Sequence, residues 1–136
     1  LNSESETVVE SRNLKMSAIL GDGPPGTGCP VIASVSGADR VLIVTEPTVS
    51  GVHDMQRVLM LTAHFGIPAQ IVINKADLNS DQAARIETIA AEMGAEVIAR
   101  IPFDSNVNIA LMAGKTVVEY GPGPAHEAMI HLADIL

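Results

Sequence analysis

Residues 41–77 read VLIVTEPTVSGVHDMQRVLMLTAHFGIPAQIVINKAD, and this stretch decides the fold. The apolar run Val41–Thr45 is typical of a buried strand, helical periodicity follows over Gly51–Phe65, and a second apolar run occupies Gln70–Ile73. A strand, a helix and a second strand joined by short connections predict a right-handed crossover between two parallel strands.

The predicted helix Gly51–Phe65 carries clear signals of its ends and of its buried face. Ser50 stands where a side chain caps the first turn, and Gly66 follows the helix where a left-handed terminator is favoured. One face of this helix is apolar and consists of Val52, Met55, Val58, Leu59 and Thr62.

The same alternation extends to both sides of this unit. Further strands are predicted at Leu14–Leu20 and Val97–Ile101. Further helices are predicted at Cys29–Val35, Asp81–Met93, Val107–Ala113 and His126–Leu136, and Gly94 is a second terminator. We therefore expect an α/β domain over residues 14–136, in which helices flank a parallel sheet of about four strands. Residues 1–13 are polar and are predicted to be a linker or the remnant of an upstream region.

Composition narrows the classes of function. Apolar residues make up 47% and charged residues 18%, which is typical of a globular protein. Only three aromatic residues occur, so the core is predicted to be aliphatic. The net charge of −8, with eight scattered Lys and Arg, argues against nucleic acid or an anionic membrane as a partner. One cysteine excludes an internal disulfide, and no apolar run approaches eighteen residues, so we expect a cytoplasmic protein.

The glycine-rich loop after the first predicted strand has the spacing of a dinucleotide-binding fingerprint. The G-x-G-x-x-G pattern would consist of Gly21, Gly23 and Gly26, with Glu46 twenty residues further on. Pro24 and Pro25 remove backbone donors that a pyrophosphate would need, and Asp22 would place a carboxylate beside that anion. These two features weaken the fingerprint, and a dinucleotide-binding module stays open as an alternative.

The same loop also has the G-x-x-x-x-G spacing of a P-loop at Gly23 and Gly28. Cys29 and Pro30 occupy the positions where that motif requires Lys and Ser or Thr, so the P-loop interpretation fails.

In a third interpretation, Asp22 ends a strand beside a nucleotide's magnesium ion and orients a metal-bound water, while Gly26 offers its amide to the terminal phosphate. A plain tight turn accounts for the glycines and prolines equally well.

Polar or turn residues follow every predicted strand. Because ligands of parallel α/β sheets bind outside the carboxyl ends of the strands, these loops are the candidate site. They contain Asp22, Thr45-Glu46-Pro47-Thr48, Asn74-Lys75-Ala76-Asp77 and Ile101-Pro102-Phe103-Asp104. Asn74 offers a donor and an acceptor to a purine edge, and Phe103 is placed to pack near a base. Asn and Asp also favour ordinary turns, so each residue alone has a structural alternative.

Taken in order, these motifs resemble the MinD/ParA/Mrp superfamily of deviant P-loop ATPases. The resemblance is closest to the group whose members carry an inserted ferredoxin-like domain, and it extends from about residue 14 to the C-terminus. It rests on Asp22-Gly-Pro-Pro-Gly26, Val44–Thr48, Asn74-Lys75-x-Asp77, Ile101–Asp104, Ala113-Gly114-Lys115 and Glu119–Pro122.

The resemblance implies a role for each part of the candidate site. Asp22 and Gly26 would be the switch II pair near magnesium and the terminal phosphate of ATP. Asn74 would contact adenine, with Lys75 and Asp77 beside it, and Pro102-Phe103-Asp104 would form part of the base pocket. Family members typically bind ATP-Mg between two subunits, so a homodimer is expected, and hydrolysis switches a partner or loads a metal centre.

One departure from the family concerns its lysine-bearing P-loop, which belongs upstream of switch II. Residues 1–13 contain no glycine, so we expect a partial chain, the C-terminal half of such a domain, that does not hydrolyse ATP by itself. A sheet edge left open in this way favours pairing with another copy, and a non-catalytic dimerisation domain is a further alternative.

An iron–sulfur cluster, where the protein has one, is expected in the missing region. Cys29 lies seven residues after Asp22, and a similar spacing separates the switch II aspartate from one cluster-ligand cysteine in the related nitrogenase iron protein. The preferred interpretation of Cys29 is nevertheless a small buried residue.

The order Asn-Lys-x-Asp at Asn74–Asp77 also occurs in guanine-reading G proteins. Their acidic switch motif is D-x-x-G, whereas three residues separate Asp22 from Gly26 here. Ile101–Asp104 also differs from the loop that follows in G proteins. Adenine is therefore the predicted base.

Overall fold

The computed structural model describes residues 20–23 and 29–136, apart from the side chains of Cys29 and Pro30. The strands within this part are β1 (Val41–Thr45), β2 (Ala69–Asn74) and β3 (Glu96–Ile101). The helices are α1 (Cys29–Ser36), α2 (Val49–Phe65), α3 (Ser80–Glu92), α4 (Asn106–Met112), α5 (Val117–Tyr120) and α6 (Pro124–Ile135).

The three described strands form one parallel sheet in the order β1-β2-β3. Val41 pairs with Ala69 at the start of β1, and Gln70 pairs with Glu96 at the start of β3. The predicted α/β fold with a parallel sheet is thus confirmed. Of the additional predicted strand Leu14–Leu20, all but Leu20 lies outside the described residues.

One face of the sheet is covered by α2 and α3. Alternate residues of the strands point toward these helices, so that β-branched side chains meet Met and Leu from α2 and Ile from α3. This core contains Ile43, Val52, Met55, Leu59, Ile71, Ile73, Ile86, Ile89 and Ala90. The aliphatic core that the composition predicts is present, and both phenylalanines and the tyrosine are exposed.

The opposite face of the sheet is covered over β2 and β3 by α6. Val72, Ala99 and Ile101 pack there against Ala125 and Leu132 of that helix. A sheet with helices on both faces is the predicted three-layer arrangement. Among the described residues, no helix is both long enough and apolar enough to span a bilayer.

Helix α2 begins two residues earlier than Gly51, and the predicted cap at Ser50 is wrong. Thr48 is the N-cap, because it is extended at φ −127° and ψ 160° and its Oγ1 accepts from the Gly51 amide at 3.0 Å. Ser50 therefore lies inside the first turn. Gly66 and Gly94 end α2 and α3 with φ of 65° and 74°, the left-handed geometry that was predicted.

Candidate functional site

The carboxyl ends of the three strands lie side by side at one edge of the sheet. Thr45 pairs with Ile73, and Asn74 pairs with Ile101, so each strand ends within one or two residues of its neighbour's end. The loops that follow therefore begin next to one another. This brings together three of the four strand ends that the sequence predicts for the site.

An ion pair joins the first two of these loops. The Lys75 Nζ lies 3.3 Å from the Glu46 Oε1, and both side chains are more than 40% exposed. Lys75 has φ of 51°, a left-handed conformation that costs a non-glycine residue about 1 kcal/mol or more. This turn leads the chain away from the line of β2 immediately after Asn74.

Asn74 is half-buried at the end of β2, with one side of its amide in use. Its Oδ1 accepts from the Lys75 backbone N–H at 3.0 Å, which fixes the orientation of the side chain. The Nδ2 group makes no hydrogen bond within the described part of the chain. A purine acceptor at this edge would find a donor in Nδ2.

Asp77 ties the loop after β2 to the loop after β3. Its Oδ1 accepts from the Phe103 backbone N–H at 2.7 Å, and one step earlier the Ala76 N–H donates to the Ile101 carbonyl at 2.9 Å. Asp77 is exposed, and its second oxygen makes no hydrogen bond within the described residues. The carboxylate thus fixes the backbone of the neighbouring loop.

Asp104 uses both carboxylate oxygens within the protein. Oδ1 accepts from the Asn106 N–H at 2.9 Å at the start of α4, and Oδ2 accepts from the Ala125 N–H at 3.2 Å in the first turn of α6. A negative charge is favourable at a helix N-terminus, because the free N–H groups and the helix dipole point toward it. Asp104 therefore holds α6 against the end of β3.

Between these two carboxylates, Pro102 and Phe103 form the apolar part of the edge. Pro102 is half-buried, and Phe103 is 47% exposed although its backbone is held by Asp77. A ring that is exposed but has a fixed backbone provides a flat apolar surface for a planar ligand.

The residues predicted to form switch II, Asp22 and Gly26, are described only in part. Asp22 lies in the non-regular stretch 20–23, is exposed, and makes no hydrogen bond or ion pair with the described part of the chain. Gly26 lies outside the described residues, and Cys29 begins α1 with its side chain likewise outside them. No three His, Cys, Asp or Glu converge on a metal-sized site among residues 20–23 and 29–136.

Two residues near this edge have structural roles that the sequence reasoning missed, although Thr45 was named in a candidate loop and Gly51 at a predicted helix start. Thr45 is buried, and its Oγ1 donates to the Gly51 carbonyl at 3.0 Å, which closes the loop between β1 and α2. Gly51 lies so close to this loop that a Cβ would come within 2.4 Å of the Glu46 carbonyl oxygen. Two sequence signals could have revealed these roles: the hydroxyl residue at the inward position where β1 ends, and the glycine in the first turn of α2.

A parallel sheet with helices on both faces and polar loops at its carboxyl edge defines a three-layer α/β domain of the class whose ligands bind at that edge. Comparison with known proteins shows which proteins the chain resembles. The chain is 27% identical to the MinD cell division protein of Aquifex aeolicus, with a TM-score of 0.68 over 83% of this chain and 50% of that one. The MinD of Pyrococcus horikoshii, solved with Mg-ADP, gives a TM-score of 0.69 at 22% identity over 84% of this chain and 47% of that one.

Curated relatives agree with the structural neighbours. An uncharacterized protein of Methanocaldococcus jannaschii is 39% identical over 74 residues, which are 53% of this chain and 27% of that protein. An uncharacterized ATP-binding protein of the same organism is 24% identical over 94% of this chain and 49% of its own length. The iron-sulfur cluster carrier protein of Pyrococcus abyssi is 26% identical over 85% of this chain and 43% of its own length. No family model matches the chain.

These comparisons confirm the resemblance to the MinD/ParA/Mrp superfamily, whose fold the chain shares. The chain spans half or less of the length of each relative described above.

Proposed function

We propose that the chain supplies the adenine side and switch II of an ATP-Mg site in a MinD/ParA-type ATPase. The phosphate-binding loop would come from a segment equivalent to the part of the relatives that this chain does not match. On this proposal the 136 residues alone do not hydrolyse ATP, and the intact protein does. The observation that carries the proposal is the side-by-side placement of three strand ends in a chain that is similar to ATP-binding proteins.

The chemistry of the edge supports a purine ligand. Asn74 has an unused Nδ2 donor within the described residues, and Phe103 offers an exposed ring. Lys75 is paired with Glu46, and Asp77 and Asp104 are engaged with backbone amides. In this arrangement Asn74, Pro102 and Phe103 contact the base, while Lys75, Asp77 and Asp104 shape the loops around it.

The exposed carboxylate of Asp22 suits a water-bridged contact to Mg²⁺, which prefers oxygen ligands and keeps much of its hydration. We assign Gly26 to the terminal phosphate on the resemblance alone. A link to iron–sulfur or metal-cofactor handling is proposed because one relative is an iron-sulfur cluster carrier protein. The cluster would lie outside this chain, since Cys29 is its only cysteine and clusters are held by several thiolates.

The proposed setting is a cytoplasmic homodimer without a nucleic acid or membrane partner. The net charge of −8 supports the last two points, because both surfaces attract clustered Lys and Arg. The alternatives are a dinucleotide-binding module using Gly21, Gly23 and Gly26, and a dimerisation domain without a ligand.

The decisive experiment is calorimetric titration of the full-length protein with ATP-Mg, GTP-Mg and NAD. Asn74→Ala is compared with Asn108→Ala, an exposed amide on α4. We expect ATP-Mg to bind best and Asn74→Ala to weaken it about tenfold, since one lost hydrogen bond costs roughly 1.4 kcal/mol. Asn108→Ala should leave the affinity unchanged.

Three results would overturn the proposal or its parts. Binding of NAD without ATP would favour the dinucleotide module, and no binding of any of the three would favour the dimerisation domain. Equal effects of the two Asn variants would remove Asn74 from the site.

Asp22→Asn should abolish hydrolysis while ATP binding persists, because its role is to orient the metal-bound water.

A further inference from the structure

The Asp77 carboxylate completes the hydrogen-bonding ladder of the sheet beyond the point where β2 leaves it. In a parallel ladder, the donor that follows Ala76 N–H to Ile101 carbonyl is the Phe103 N–H, and its partner would be the carbonyl of residue 76. The left-handed turn at Lys75 takes the backbone out of line. Asp77 Oδ1 accepts from the Phe103 N–H instead, at 2.7 Å.

This hydrogen bond is of the strong kind. A carboxylate that accepts from a backbone amide at this distance makes a charge-assisted bond, which is stronger than the amide–carbonyl bond it replaces. It joins residues 26 positions apart in sequence and acts on the backbone of the exposed aromatic residue. The position of the Phe103 backbone, from which the ring projects, therefore depends on Asp77, although the two residues belong to different loops.

We propose that Asp77 is a positioning residue that holds Phe103 in place to stack on the base, and that it does not read the base edge. The proposal rests on the ATP site proposed above and assigns a role that differs from the guanine-reading aspartate of the Asn-Lys-x-Asp order. Aromatic stacking on a base tolerates any purine, because every base has a π face. Loss of Asp77 should therefore weaken adenine and guanine nucleotides alike.

The test measures ATP-Mg and GTP-Mg affinity of the full-length protein in four single variants and one double variant. The single variants are Asp77→Ala, Asp77→Asn, Phe103→Ala, and Asp134→Ala as an exposed carboxylate control on α6, and the double variant combines Asp77→Ala with Phe103→Ala. We expect Asp77→Ala and Phe103→Ala each to weaken both nucleotides about tenfold, within the range of one base–aromatic contact. Asp77→Asn keeps an oxygen acceptor and should stay within about threefold of wild type, because only the charge of the bond is lost. Asp77→Ala should add nothing in the Phe103→Ala background, and Asp134→Ala should have no effect.

A second readout does not depend on nucleotide. The amide proton of Phe103 should shift upfield and exchange faster in Asp77→Ala, with Asp77→Asn intermediate, because the short bond to the carboxylate is lost. An unchanged Phe103 amide would overturn the positioning role even if nucleotide binds as proposed. A change in the ATP-to-GTP affinity ratio in Asp77→Asn would also overturn it and would show that Asp77 contacts the base. If the wild-type protein bound neither nucleotide while the Phe103 amide responded as expected, the ATP site would be wrong and the hydrogen bond would be structural only.

Discussion

The Lys75 ammonium lies 3.3 Å from the Glu46 carboxylate and joins the residue after β1 to the residue after β2. The backbone of Lys75 is at the same time left-handed, and its N–H is held by the Asn74 side chain. An ion pair and a backbone hydrogen bond thus meet at the residue that turns the chain out of the sheet.

This ion pair should contribute little to stability. Both side chains are more than 40% exposed, and exposed pairs are worth about 0.2–1 kcal/mol and are screened by salt. We expect a double-mutant cycle of Glu46→Gln and Lys75→Met, measured by urea unfolding, to give a coupling energy in that range at low salt and near zero in 1 M salt. A coupling that persists at high salt would indicate that the pair is less accessible to ions than its exposure implies.

Gly51→Ala should destabilise the protein much more than a surface glycine substitution. The added Cβ would lie 2.4 Å from the Glu46 carbonyl oxygen and 3.1 Å from the Thr45 Oγ1, so the loop between β1 and α2 must move. Overpacking of this kind costs about 1–3 kcal/mol, which urea unfolding would measure.

Gly37→Ala is the matched control for that variant. The nearest atom to its added Cβ is the Ala33 carbonyl oxygen at 3.8 Å, an ordinary contact. The free energy of unfolding should change by no more than about 0.5 kcal/mol. Equal costs for the two variants would show that loss of glycine itself, and not the close approach at Gly51, determines the effect.

The sequence predicts the elements of this fold well because their signals are local. The strand Val41–Thr45 was predicted with its observed bounds, and the buried face of α2 contains Val52, Met55, Leu59 and Thr62 as expected. The cap of α2 was misplaced, because Thr48 and Ser50 are both good caps and only the backbone geometry distinguishes them. Helix α5 was not predicted, since a single turn is too short to show periodicity.

The candidate site could be predicted only as a set of strand ends. Register places the ends of β1, β2 and β3 together, and parallel strand–helix alternation is enough to anticipate that. The Phe103 amide that Asp77 accepts from lies 26 residues away, and the more distant of the two amides that Asp104 accepts from lies 21 residues away; backbone amides carry no sequence signal. The assignment of both carboxylates to the base pocket therefore stays a prediction, to be weighed against the structural bonds that they make.

Ile71→Ala should cause a large loss of stability. Ile71 is fully buried at the centre of β2, between α2 and α3. Truncation of such a residue removes its transfer free energy and leaves a cavity, at a cost of about 2–5 kcal/mol.

Met112→Ala is the control for that substitution, because Met112 is 91% exposed at the end of α4. Its free energy of unfolding should stay within about 0.5 kcal/mol of wild type. A large effect of Met112→Ala in the full-length protein would instead reveal a surface that packs on Met112.

The capping box at the start of α5 should make this helix sensitive to acid. The Thr116 backbone N–H donates to Glu119 Oε1 at 3.1 Å, and the Glu119 N–H donates to Thr116 Oγ1 at 3.2 Å. Hydrogen bonding to Thr116 lowers the pKa of Glu119 below the ordinary value of 4.5. The larger effect comes from the Thr116 backbone and the smaller one from its side chain. A carboxyl whose folded-state pKa is lowered contributes its stabilisation fully above the unfolded-state pKa and loses it as the pH falls through the folded-state value.

Amide exchange at Thr116 and Glu119, corrected for intrinsic rates, should therefore accelerate as the pH falls below the ordinary value of 4.5 and through the lowered pKa of Glu119. Glu119→Gln keeps an acceptor for the Thr116 N–H but cannot titrate, so its exchange, corrected for intrinsic rates, should be independent of pH over the same range. Glu119→Ala should exchange fast at every pH. If the wild type and Glu119→Gln showed the same pH profile, the acid sensitivity of α5 would have to come from a group other than Glu119.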